Sequence, residues 1–232
     1  MTGRYHRKNE NFFRGELTIR DVCDECNNGE LSKLDNYICE LYDRYFHRIV
    51  KQSGSIVFKY DQNRLLRWLL KISFNSARSN GSDSEELRGL STYILSGTQV
   101  PCSVSLRAEL VKPSRNLNYV KGNGSKKYIE PNSVRCCRIE SQLGMVPGAT
   151  LRLVSINSYY FWIVVSPITT SLERDEENHL NGILTQLPKS ELLGKDQVTL
   201  KARGKTTIEM HKDWVLNPRA RESHKKMIAR KG

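Results

Sequence analysis

The sequence predicts an α+β fold in which an N-terminal part built on helices precedes a mostly antiparallel β region. Three observations carry that prediction. Between Leu31 and Ile49 apolar and aromatic residues recur every three or four positions, the stripe of an amphipathic helix. From Val100 the texture changes to short β-prone runs, SVSLRAELV, SVRCCRIES, LRLVSI and YYFWIVV. Turn-rich stretches such as SNGSDSEE and KGNGSKK punctuate the chain between them.

In chain order, these signals divide the protein into an N-terminal segment over 1–52, a helical segment over 53–98, a mostly β region over 99–216 and a basic tail over 217–232. The first helix is expected over 30–51, with Leu34, Ile38, Leu41, Tyr45 and Phe46 facing inward and Ser53-Gly54 ending it. SIVFKY, from Ser55 to Tyr60, reads as a strand. Asp61 then caps a second helix, because its carboxylate can accept from the first free backbone N–H groups. Arg64, Arg67, Lys71 and Arg78 fall near one face of that helix and are expected to cover it as solvated side chains. Ser82 or Asp83 suits the cap of a short helix running through Leu95. Asn157-Ser158, between two β-prone runs, signals a hairpin. The segment KPSRNLNYVKGNGSKKYIEPN reads as an exposed basic loop.

At 232 residues the chain can bury a real core, so its size forces neither a metal nor disulfides on it. Against 25 acidic residues stand 37 Lys and Arg, a net charge of +12 that favours polyanionic partners, nucleic acid first. Phosphate contacts are expected from Lys112, Arg115, Lys121, Lys126 and Lys127 in the basic loop and from Arg219 and Arg221 in the tail. No apolar run is long enough to cross a bilayer, and no membrane partner is expected. MTGRYHRKNENFF has no apolar secretory core, which makes the cytoplasm the default location. In a reducing compartment a Cys-x-x-Cys pair points to metal binding or redox chemistry rather than a structural disulfide.

That pair sits in RDVCDECNNGELSKLD, residues 20–35. A Cys-x-x-Cys turn brings two thiolates to one edge of a tetrahedron, which suits Zn²⁺, but a structural site needs four ligands. Cys23 and Cys26 therefore need partners, and neither Cys39, Cys102, Cys136-Cys137 nor any of the five histidines stands at a second-knuckle spacing. A redox dithiol and two reduced thiols in a turn remain open alternatives. Asn27 and Asn28, before Gly29, are also good turn and cap residues. Asp24 and Glu25 read as first-turn charges and Asp35 as a helix-surface acid.

Followed directly by an amphipathic helix, this stretch resembles the C-terminal half of the motif of the HNH endonuclease family, in its branch with zinc knuckles. The resemblance implies a ββα-metal finger that hydrolyses DNA phosphodiester bonds with one divalent cation, Mg²⁺ or Mn²⁺. It implies Cys23 and Cys26 as zinc ligands, Asn27 facing the catalytic metal, and His6 on the preceding hairpin as general base. Several family features are missing here. Tyr5 stands where the family usually has an acid, no Pro follows His6 closely, and no earlier Cys-x-x-Cys is present. The match spans residues 6–46 and is specific only over Val22 to Asp35. The expectation is thus an HNH-like endonuclease module, N-terminally truncated or degenerate and with an incomplete zinc site. The alternative is a noncatalytic basic module that binds nucleic acid and keeps the finger as a folding nucleus. A Cys-x-x-Cys redox protein is the third reading, though the motif lacks the preceding strand of a thioredoxin-like unit.

Overall fold

The computed structural model describes residues 3–6, 11–14, 23–51, 53–80, 84–98, 104–115, 128–129, 134–139, 150–166, 190–194, 196–202 and 206. Its architecture is α+β with antiparallel sheets. A hairpin comes first, β1 (Gly3–His6) against β2 (Asn11–Arg14), with Tyr5 opposite Phe12 and His6 opposite Asn11. The Cys-x-x-Cys stretch then opens a short helix α1 (Asp24–Asn28), and after Gly29 the longer helix α2 runs over Glu30–Leu41.

The apolar spacing did its expected work: Leu34, Ile38, Leu41 and Phe46 are buried and Tyr45 half-buried. The helix does not continue to residue 51. It widens into a π-helical turn at Tyr42–Phe46 and stops, because the end of the helix meets a hairpin from far along the chain. Asn157 Nδ2 donates to the Phe46 carbonyl at 2.8 Å, and Ser158 Oγ accepts from the Val50 N–H at 2.8 Å. These long-range bonds satisfy backbone groups that another helical turn would otherwise have used. Phe46, with no exposure, sits among the rings of Phe58, Tyr159 and Phe161 at centroid distances of 4.8 to 5.8 Å.

Strand β3 (Ser55–Lys59) leads into α3 (Gln62–Asn80), whose start Asp61 caps by accepting from the Arg64 N–H at 2.9 Å. The single short helix expected through Leu95 is two, α4 (Ser84–Arg88) and α5 (Ser91–Ser96), divided at Gly89-Leu90. The proposed caps Ser82 and Asp83 lie outside the described residues.

The β region forms β4 (Val104–Leu110), β5 (Ser114–Arg115), β6 (Tyr128–Ile129), β7 (Arg135–Arg138), β8 (Thr150–Ile156), β9 (Tyr159–Val165), β10 (Glu191–Leu192) and β11 (Gln197–Lys201). Five of these make one sheet in the order β10-β4-β9-β8-β7. The hairpin β8–β9 turns at Asn157-Ser158 as expected, and Asn157 takes the left-handed conformation, φ 49°, that a two-residue turn demands. Every residue of β8 and β9 is buried, so both faces of this sheet centre are covered. One face joins a core that runs from Leu34 and Phe46 through Leu65 and Leu69 to Val154 and Phe161; the other carries Leu153, Tyr160 and Trp162.

Two pairings were not readable locally. The basic loop is stapled near its base by β5 and β6, with Ser114 opposite Ile129 and Arg115 opposite Tyr128. Strand β3 finds its partner in β11, a separation of well over a hundred residues, and the two make a ribbon outside the main sheet. Leu200 of β11 and Leu34 of α2 thereby lie in the same core. Among the described residues no helix is long and apolar enough to cross a membrane.

Candidate functional site

The knuckle is built by capping. Cys23 precedes α1 with an extended backbone, and its sulfur accepts from the Cys26 N–H at 3.4 Å. The Asn27 N–H bonds the Cys23 carbonyl at 2.9 Å, closing the turn. The Cys26 N–H holds the Cys23 thiol below its ordinary pKa, with the Cys26 side chain adding to the effect. The same sulfur–sulfur hydrogen bond raises Cys26, because the Cys26 proton is the one being donated. Cys23 and Asn27 are exposed and Cys26 half-buried, so the pair faces solvent. A depressed, accessible thiol is the more reactive of two. In a pH series of iodoacetamide labelling read by mass spectrometry, Cys23 is expected to react at lower pH than Cys26. Coincident profiles would show that the two sulfurs do not share a proton.

Behind the knuckle, cations anticipated as a solvated face are structural. Arg67 is 7% exposed and crosses from α3 to the end of α5. Its Nε donates to the Ile94 carbonyl at 2.9 Å, and its Nη2 bonds the Leu95 carbonyl and approaches Glu30 at 3.4 Å. Lys71 bonds both oxygens of Asp35 at 2.7 Å, and Trp68 Nε1 donates to the same carboxylate at 3.0 Å. Asp35 is therefore a clasp between α2 and α3 rather than a simple surface acid. Arg64, by contrast, is exposed and pairs with Asp61 within its own turn. Sequence periodicity grouped Arg67 and Lys71 on one face of the helix but read that face as solvated. It carried no sign that the end of α5 and Asp35 would engage them, because those partners arrive from other segments.

Among the described residues no three His, Cys, Asp or Glu side chains gather where a metal could sit. Cys136 and Cys137, the two adjacent cysteines, alternate on β7 and so point to opposite sheet faces. Cys136 packs toward α3, with its sulfur 3.9 Å from Ser73 Oγ, while Cys137 joins the cluster on the far face. Neighbours in sequence, they cannot supply two ligands to one ion. His6 closes β1 opposite Asn11. Lys112 donates to Ser53 Oγ at 3.2 Å and makes an isolated parallel bridge with Thr206, so it helps tie the loop's base down. Arg115 lies in β5. Lys121, Lys126, Lys127, Arg219 and Arg221 lie outside the described residues.

No family model, curated protein or solved structure matches the chain.

Proposed function

We propose that the N-terminal segment is an HNH-like finger in a protein that acts on nucleic acid, with hydrolysis of DNA phosphodiester bonds as its chemistry. The observation that carries this reading is the order of parts. A hairpin ends its first strand on His6, a Cys-x-x-Cys turn follows, and Asn27 is exposed directly after the second cysteine, in α1 just ahead of α2. Two adjacent thiols, one exposed and acidified and one half-buried, suit one edge of a zinc tetrahedron, so Cys23 and Cys26 would hold that ion. A hard cation such as Mg²⁺ or Mn²⁺ prefers oxygen ligands. Here Asp35 is held by Lys71 and Trp68, and Glu30 by Lys33 and Arg67, so those carboxylates do not fit it. The chain's own contribution to hydrolysis is proton transfer, with neutral His6 taking the proton of the attacking water.

The engagement of Glu30 and Asp35 is also what favours the second reading, a noncatalytic finger that only binds. Nicking of supercoiled plasmid by the full chain with Mg²⁺ or Mn²⁺, run beside duplex binding and zinc analysis, separates the two. Weak metal-dependent nicking is the expected result. Binding without any nicking selects the noncatalytic module, and loss of both activities rejects a role on nucleic acid.

A further inference from the structure

Several cations of the helical layer are committed: Lys33, Arg64, Arg67, Lys71 and Arg88 stand in ion pairs. Lys59 and Lys201, on the ribbon β3–β11, enter no ion pair and no side-chain hydrogen bond among the described residues. Both strands of the ribbon bury the same fourth position, Phe58 and Leu200, and expose the first, third and fifth. The outward face is therefore Ser55, Val57 and Lys59 beside Lys201, Thr199 and Gln197.

We propose that this outward face is a duplex nucleic-acid-binding surface, with Lys59 and Lys201 reaching phosphates and the residues between them meeting the groove. The register places the two lysines at opposite ends, since Lys59 pairs with Gln197 and Lys201 with Ser55. Four strand residues at about 3.3 Å each separate them by about 13 Å along the ribbon. That matches the roughly 12 Å width of the B-DNA major groove, which admits a two-stranded β-ribbon. Between the lysines stand the polar side chains of Ser55, Gln197 and Thr199, able to bond base edges or phosphates, and Val57, 49% exposed and apolar enough to meet a thymine methyl. At the Lys59 end of the ribbon, Glu40, Asp61 and Asp196 line an open groove of about 390 Å³ together with Arg44, Lys59 and Gln197. The duplex then approaches from the Val57–Lys201 side.

The surface rests on the reading of the chain as a nucleic-acid protein but not on cleavage, so binding alone tests it. The full chain and Lys59→Glu/Lys201→Glu are titrated with a labelled DNA duplex across a salt series and, separately, with vesicles of anionic lipid. Lys33→Glu/Arg88→Glu serves as the control for an equal change in net charge. The ribbon variant is expected to bind DNA about tenfold or more weakly and to flatten the plot of log affinity against log salt by about 1.8, the value for two phosphates. Lys59→Gln/Lys201→Gln, milder at these exposed positions, should flatten it in the same direction with an unchanged circular-dichroism spectrum. An equal loss in the control would assign the effect to net charge and overturn the site. Wild-type binding to vesicles but not to DNA would assign the face to a membrane surface. Duplex binding unaltered in both ribbon variants would remove the surface while leaving the nucleic-acid reading intact, whereas no duplex binding by the wild type would remove both.

Discussion

His6→Ala is expected to lower Mg²⁺- or Mn²⁺-dependent nicking by a factor of about 100 to 10,000, the range seen when a general base is removed. The residue closes β1 opposite Asn11, immediately before the hairpin turn. A hairpin end of that kind tolerates the change, so the circular-dichroism spectrum and duplex binding should stay as they are. The starting activity is expected to be low. Tyr5, rather than an acid, precedes the histidine, so no carboxylate at that position fixes its tautomer or contributes anionic charge for a cation. The measurement is single-turnover nicking of wild type and variant at saturating metal. Robust cleavage that survives His6→Ala would remove His6 as the base and, with it, the assignment of the hairpin to the chemistry.

Arg67→Ala is expected to destabilise the fold by about 2–4 kcal/mol, because one buried and one partly buried carbonyl lose their donor and the stem of a buried side chain is deleted. The carbonyls are those of Ile94 and Leu95 at the end of α5, where helix C-terminal groups have no partner of their own. For a domain of this size the loss corresponds to a fall of about 5–15 °C in melting temperature. Arg67→Met, which keeps most of the volume, isolates the hydrogen-bond part. Arg67→Lys keeps the charge but loses the planar fork that reaches both carbonyls, and should recover little. Gly97→Ala should destabilise through the same contact: its φ of +69° disfavours a side chain, and a Cβ there would stand 2.8 Å from Arg67 Nη1. If Arg67→Ala melted within a degree of wild type, Arg67 would be a surface residue after all, as periodicity alone had it.

The comparison of Arg67 with Leu34 shows why some of this protein was legible and some was not. Leu34, Ile38, Leu41 and Phe46 declare their burial through spacing, because a helix of fixed period must turn its apolar stripe to the core whatever it packs on. The same holds for the Asp61 cap and the Asn157-Ser158 turn, whose chemistry is complete within four residues. The knuckle geometry at Cys23 and Cys26 is equally local, being one turn of backbone.

What the sequence alone determined, then, was the α+β class, the inward faces, the hairpin turn and the Cys-x-x-Cys turn ahead of α2. The tertiary structure decided where the helix stops, which cations are spent and which stay available. Asn157 and Ser158 end the helix that begins at Glu30 from more than a hundred residues away, and α5 and Asp35 engage Arg67 and Lys71. β11 turns β3 into a ribbon whose outward lysines remain unengaged among the described residues. Each of these depends on which distant segment offers a carbonyl, a carboxylate or a strand edge, and a one-dimensional pattern specifies periods and caps but not partners.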